Sequence, residues 1–294
     1  MTDRGVLVGD LEVLTRFTGQ GSPVVLVHGY GVSGRYMVPL ARALSTRFSV
    51  ITPDLPGFGR SERPPAPLDI DGLATTLASL LDALELERPA VVANSLGCQV
   101  VTELAVQWPE RLGPLVLIGP TVDPQQRKAR RQVFNGLRDA AREPLSLLAV
   151  AARDDLVCGT RTLLATARAA FADRIEDRLP LIEQPTLVLR GEKDGFVSAV
   201  WAEHVASLLP NARLVVVSGE PHAVHYTRPE LVAGIVGELL VEEGEETSGQ
   251  LVGDLPHRDV PAGEQDEPRP REGALPLFGN PLWGQPVLLA PDEE

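Results

Sequence analysis

The chain predicts an α/β fold, a mostly parallel sheet wrapped by helices on both faces, and three observations carry that expectation. Short runs such as Pro23–Val27, Phe48–Thr52, Pro89–Ala93 and Leu115–Ile118 are continuously apolar, the pattern of strands covered on both sides. Segments of helical period separate them, as in Asp71–Glu85, where Leu73, Leu77, Leu80, Leu81 and Leu84 share one face. Glycine-containing loops follow several of the apolar runs, at the strand ends where such sheets bind ligands.

Taken in order, Gly5–Phe17 alternates loosely and suits an opening antiparallel hairpin around Gly9-Asp10. The strand Pro23–Val27 empties into His28-Gly29-Tyr30-Gly31-Val32-Ser33-Gly34, and a helix follows over Arg35–Leu44. The strand Phe48–Thr52 ends in Pro53-Asp54-Leu55-Pro56-Gly57-Phe58-Gly59-Arg60-Ser61. After the helix 71–85, the strand Pro89–Ala93 breaks at Asn94-Ser95, and a helix runs over Leu96–Gln107. Leu115–Ile118 is the next strand. The rhythm then stops from Thr121 to Leu179, a stretch of helical period read as an insertion covering the ligand crevice. It resumes with the strand Pro185–Arg190, a helix over Ala199–Leu209, the strand Arg213–Val217 and a helix over Pro229–Val241. The count is eight strands. Core residues 1–120 and 180–241 thus flank a helical cap, 121–179.

Composition bounds the function. The 294 residues are 44% hydrophobic with a mean hydropathy of +0.02, and no run approaches the ~20 apolar residues of a membrane span. The first residues carry no apolar signal region, so a cytoplasmic protein is expected. Two cysteines, Cys98 and Cys158, suffice for neither a disulfide framework nor a zinc set, and no metal or other cofactor is expected. Of the net charge of −13, the stretch from Glu242 onward carries −10 (13 acidic residues against Arg258, Arg269 and Arg271), leaving −3 for residues 1–241. A near-neutral body argues against a nucleic-acid partner. Residues 242–294, acidic and holding eight prolines, are expected to be disordered. Within them the apolar run Ala274–Ala290 is a candidate docking motif for a protein partner or for the body itself.

The chemistry centres on Ser95. A strand, a sharp turn and a helix place it at an apex with Ala93 and Gly97 two residues to either side, where small neighbours relieve crowding. Serine is a weak nucleophile until a base takes its proton and a third group orients that base. The loop after the last strand carries His222 and His225, and the turn Gly191-Glu192-Lys193-Asp194-Gly195 carries two carboxylates, Asp194 and its competitor Glu192. His28 ends a strand beside glycines, His204 lies within a helix, and His257 lies in the tail. The order Ser95, Asp194, His222 is one of the three chain orders known for a nucleophile–base–acid set, the one that goes with strand–elbow–helix serines.

The chain resembles the serine members of the α/β-hydrolase fold over about residues 5–241. His28-Gly29-Tyr30-Gly31 is similar to that superfamily's oxyanion loop, H-G-x-G. Asp54-Leu55-Pro56-Gly57-Phe58-Gly59-Arg60-Ser61 is similar to its D-x-P-G-x-G-x-S segment, Ala93–Gly97 to its elbow, and Gly191–Asp194 to its acid turn. The family's closing block has a histidine seven residues before a proline, the spacing of His222 and Pro229. The resemblance implies Ser95, Asp194 and His222 as catalytic residues and the backbone N–H groups of Tyr30 and Leu96 as an oxyanion hole. Gly29, Asn94 and His225 are then substrate-site candidates, His225 lining the pocket or supporting His222 from behind. It departs from the family at Ala93, where glycine is usual. Serine at the apex argues against the dehalogenases and epoxide hydrolases of this fold, which begin with aspartate. The implied activity is cofactor-free hydrolysis of a small ester-like substrate through an acyl-enzyme. Asn94 keeps a second reading open, carbon–carbon hydrolysis of meta-cleavage dienoates, and a ligand-binding protein of low turnover is a third. The cap arginines Arg127, Arg130, Arg131 and Arg138 are candidates for a carboxylate-bearing substrate, or a solvated helix face.

Overall fold

A computed structural model describes residues 1–124, 144–253 and 287–289. One sheet of nine strands runs through it in the order β1-β2-β4-β3-β5-β6-β7-β8-β9. The hairpin β1 (Thr2–Val8) and β2 (Leu11–Thr18) turns at Gly9 and joins antiparallel to β4 (Ser49–Pro53). All later neighbours are parallel: β3 (Pro23–Val27), β5 (Ala90–Asn94), β6 (Leu115–Ile118), β7 (Thr186–Gly191), β8 (Ala212–Val217) and β9 (Val287–Leu289). Successive side chains of a strand point to opposite faces, so a continuously apolar run feeds two layers at once. In β5, Val91 and Ala93 join the core layer that holds α2 (Ile70–Ala83) and α3 (Leu96–Gln107), while Val92 joins the layer under α1 (Val38–Leu44).

Local chemistry starts the helices where the apolar period begins. Asp69 accepts the Gly72 N–H at the head of α2, filling one of the donors a helix start leaves open. Between β6 and β7 the described residues form α4 (Leu145–Cys158), α5 (Thr160–Ala172) and α6 (Ile175–Arg178), in keeping with the helical period of that stretch. Residues 125–143, with Arg127, Arg130, Arg131 and Arg138, lie outside the described residues. The sheet continues into α7 (Ala199–Leu208), where Ser198 caps the Trp201 N–H, then α8 (Val224–Thr227) and α9 (Pro229–Gly253). No helix among the described residues is long and apolar enough to cross a membrane.

Two expectations about the tail are corrected. The last helix runs on to Gly253 instead of stopping at Val241, and Val287–Leu289 adds a ninth strand to the expected eight. Once Val232, Ile235, Val236 and Leu239 have packed their turns, each added residue extends a helix whose costly nucleus already exists. The open edge of β8 presents unpaired backbone groups, and Val287-Leu288-Leu289 supplies partners for them. The apolar run Ala274–Ala290 is legible in the sequence as a docking candidate, but the edge on which three of its residues form a strand is not.

One buried ion pair ties the antiparallel and parallel parts together. Asp54, fully buried just after β4, accepts both η nitrogens of Arg16 from β2, the Gly34 N–H at 2.8 Å and the Arg60 N–H at 2.9 Å. Removing one partner of such a pair strands a charge in a dry interior. Arg16→Met is expected to cost about 3 kcal/mol or more of unfolding free energy, measured by urea titration. The Arg16→Met/Asp54→Leu double variant should recover part of that loss, since it leaves no lone charge.

Candidate active site

Parallel strands bring their carboxyl ends to one edge, and the loops after β3, β5, β6, β7 and β8 meet there. Ser95, between β5 and α3, has φ 55° and ψ −118°, a left-handed conformation that a non-glycine residue holds only when its surroundings over-determine it. The turn is pinned by the Ser95 N–H to Ile118 O (2.9 Å) and the Cys98 N–H to Ser95 O (3.0 Å). Gly97 is required, because a Cβ there would lie 2.7 Å from Val27 O and 2.8 Å from His28 O. Ala93 is a fully buried strand residue whose methyl the core accommodates, which accounts for the degenerate first position of the motif. Asn94 and Leu96 are buried on either side, and Ser95 alone of the three keeps partial exposure. Cys98 is a packed helix residue, its thiol pushed far above its ordinary range by burial.

The acid and the histidine come from neighbouring strand ends. Asp194, past β7, accepts the Phe196 and Val197 N–H groups on Oδ1 (2.8 and 2.9 Å), leaving Oδ2 to meet His222 Nδ1 at 2.8 Å. The Nδ1 proton therefore faces Asp194, and Nε2 is the nitrogen on the side of the ring away from that carboxylate. Glu192, the competing carboxylate, is exposed and spent on Ser218 Oγ and the Gly219 N–H, hydrogen bonds that hold its carboxyl below the usual range. The His222 ring sits against Gly119, where a Cβ would fall 2.7 Å from its Cε1. Gly119 directly follows Ile118, whose carbonyl accepts the Ser95 N–H, so the β6 end links the serine turn to the histidine.

The remaining candidates divide. Gly29 lies against the serine turn: a Cβ there would be 3.1 Å from Ser95 Cβ and from Asn94 Oδ1. The Asn94 amide is engaged by Ile118 O at 3.2 Å, so it braces the turn. His28 is fully buried, with Nε2 accepting the Leu55 N–H (2.9 Å) and Nδ1 donating to Gly29 O (2.8 Å). That arrangement needs a neutral ring, and burial lowers its pKa accordingly. His225, on α8, is fully buried edge-on to Tyr36 at 4.5 Å between ring centroids, and neither ring nitrogen has a hydrogen-bond partner among the described residues. Burial first, and nearby His222 second, push its pKa down to about 3. The structure thus sets His225 in the packing near His222. His204 is exposed on α7, and His257 lies outside the described residues.

Four contributors escape the sequence reading. Arg190 donates Nε–H to Val197 O at 2.8 Å and so fixes the loop that holds Asp194. Asp123 accepts from Ser198 Oγ at 2.8 Å. Asp154 of α4, buried, accepts from Ser33 Oγ at 2.6 Å, and the Leu163 carbonyl of α5 accepts from Tyr30 Oη at 3.0 Å. These last two bonds fasten the inserted helices to the loop after β3. A run of glycines and one serine gives no signal for such long-range partners. Among the described residues no group of three or more His, Cys, Asp or Glu side chains could hold a metal ion.

The chain belongs to the alpha/beta hydrolase family, whose model matches residues 24–235. It is similar to a putative carbamate hydrolase, RutD, of Pseudomonas savastanoi pv. phaseolicola, 31% identical over 70% of this chain and 88% of that one. Similarity to a 2-hydroxy-6-oxo-2,4-heptadienoate hydrolase of Pseudomonas putida is higher, 39%, but over 40% of this chain and 44% of the relative. A 32% match to the polyketide synthase ThaQ of Burkholderia thailandensis covers 72% of this chain, which spans only 11% of that protein's length. Among solved structures, an esterase from Thermogutta terrifontis superposes with a TM-score of 0.72 at 24% identity, covering 83% of this chain and 99% of the other, a likeness of fold.

The depressed histidines have a consequence for stability. An unfolded chain takes up a proton at His225 near the ordinary pKa of 6.5, whereas the folded chain refuses it down to about 3. Stability is therefore full above pH 6.5 and falls as pH drops through that window, by about 2 kcal/mol at pH 5 from this group alone. His28 acts in the same direction. Urea unfolding at pH 7 and pH 5 should show the loss, and the His225→Leu protein should show about 2 kcal/mol less of it.

Proposed function

We propose that the protein is a serine hydrolase that cleaves a small, ester-like carbonyl substrate through an acyl-enzyme. The observation that carries this reading is the His222–Asp194 hydrogen bond at 2.8 Å, seated on Gly119 one residue beyond the carbonyl that pins the strained Ser95 turn. Ser95 Oγ attacks the carbonyl carbon as His222 Nε2 takes its proton, and Asp194 holds the ring in the competent tautomer and stabilises the imidazolium. Negative charge gathering on the carbonyl oxygen is met by the backbone N–H groups of Tyr30 and Leu96, the latter at the head of α3. His222 then protonates the leaving group, and water repeats the sequence on the acyl-enzyme. Gly29 lets the loop after β3 approach the Ser95 turn closely, since a Cβ there would stand 3.1 Å from Ser95 Cβ. The helices between β6 and β7 act as the cap that shapes the acyl and leaving-group pockets. The similarity to a carbamate hydrolase, whose named substrate class also has a carbonyl bonded to a heteroatom, supports this class of chemistry.

Carbon–carbon hydrolysis of a dienoate is the second reading, favoured by the partial match to a heptadienoate hydrolase. The Asn94 amide donates to Ile118 O, a bracing role compatible with either reading.

Hydrolysis of p-nitrophenyl acetate should fall about 10⁴-fold or more in the Ser95→Ala protein, and about 10⁴-fold in kcat for Asp194→Asn. A fluorophosphonate should label Ser95. Full activity in Ser95→Ala would overturn the proposal, absence of labelling would point to a ligand-binding role, and bleaching of a ring-fission dienoate without ester turnover would select carbon–carbon cleavage.

A further inference from the structure

The loop from Ser218 to His222 is held from both flanking strands and, through Glu220, by Thr227 Oγ1 of α8 at 2.6 Å. On the β7 side, the Glu192 N–H reaches Val217 O, the Lys193 N–H reaches Glu220 O, and Glu192 Oε2 accepts Ser218 Oγ and the Gly219 N–H. On the other side stands the chain's own distant segment. Val287, Leu288 and Leu289 pair in parallel with Val215, Val216 and Val217, and the Ser218 N–H donates to Leu289 O at 3.0 Å. That bond falls on the first residue of the loop that carries His222. The Leu289 side chain packs against the core layer that includes Val217, Ala223 and Val224, while Leu288 is 65% exposed. The apolar run noticed in an otherwise acidic tail thus ends on the element that positions the histidine.

We propose that the outer edge of β8 is a strand-acceptor site whose occupant is the chain's own Val287–Leu289, and that this strand positions His222 for proton transfer. The inference rests on His222 being the general base argued above. Without β9, the Ser218 N–H and the outer edge of β8 would lack their ladder partners, and the core layer that includes Val217, Ala223 and Val224 would lose the Leu289 side chain. The loop would then keep its bonds to the β7 side and the Thr227–Glu220 bond, but its first residue would lose its backbone anchor. Tethering within one chain keeps the strand at a high effective concentration, so an intramolecular occupant outcompetes a second copy at ordinary protein concentrations. A three-residue ladder is short enough to exchange with an added peptide.

The test uses the full chain. Leu289→Asp puts a charge into the half-buried contact and should lower kcat for p-nitrophenyl acetate about tenfold with KM little changed, because a small displacement of the base is felt in the chemical step. Leu288→Asp, altering a solvent-facing side chain, should stay within about twofold of the parent. The synthetic peptide Pro-Val-Leu-Leu-Ala, corresponding to residues 286–290, should restore kcat of the Leu289→Asp protein saturably, and the same peptide with Asp at its fourth position should not. Unchanged kcat in Leu289→Asp overturns the proposal, as does a loss that tracks the thermal midpoint and resists the peptide. A parent dimer that Leu289→Asp dissociates overturns the intramolecular assignment. If Ser95→Ala is inactive while Leu289→Asp is fully active, only the strand's role fails; activity in Ser95→Ala would defeat the reading beneath it.

Discussion

A dry ion pair, Arg16 with Asp54, is the interaction on which the geometry of this molecule depends. Asp54 is fully buried and Arg16 nearly so, and two charges leave water at high cost unless hydrogen bonds satisfy them. Here the carboxylate is satisfied from three directions: the guanidinium from β2, the Gly34 N–H and the Arg60 N–H. Those contacts anchor the loop between β3 and α1 at one end. His28, held neutral between the Leu55 N–H and Gly29 O, anchors it at the other. Tyr30 and Ser33 within that loop then grip the inserted helices. One buried carboxylate thereby connects the antiparallel edge of the sheet, the floor beside Ser95 and the helices above it.

The histidines show how environment assigns roles to identical side chains. His28 and His225 are desolvated and lose their basicity, and His225 is left with no hydrogen-bond partner among the described residues. His222 instead meets the carboxylate of Asp194 at Nδ1, and that carboxylate is itself oriented by two backbone N–H groups. The same logic separates the two carboxylates of the acid turn. Asp194 turns inward to a ring nitrogen, while Glu192, two residues earlier, faces solvent and closes the turn with Ser218 and Gly219. Spacing in the chain cannot make that distinction; strand twist and the path of the neighbouring loop do.

Much was legible because its physical cause is local. Continuous apolar runs announce strands buried on both faces, and the small residues around Ser95 announce a turn crowded by the neighbouring strand, as the 2.7 Å approach of Val27 O to a would-be Cβ at Gly97 bears out. The parallel order of the strands and the helices on both faces followed from the same alternation. The ninth strand was missed because it is three residues long, although the apolar run that holds it was legible. Val287–Leu289 is unremarkable in composition, and only the unpaired edge of β8 gives it a place. Arg190, Asp123 and Asp154 were invisible for a related reason, since each acts through a partner outside its own element: Val197, Ser198 and Ser33.

The amino-acid sequence by itself determined the fold family, the strand–turn–helix around Ser95 and the chain order of serine, acid and histidine. Propensity, apolar period and steric crowding act over a few residues and are written in the chain. Tertiary structure alone decided which carboxylate meets His222, that Asn94 braces the turn, that His225 is buried uncharged, and where the last strand docks. Those outcomes depend on burial and on hydrogen bonds between strand ends far apart in sequence, which exist only once the sheet has brought them to one edge.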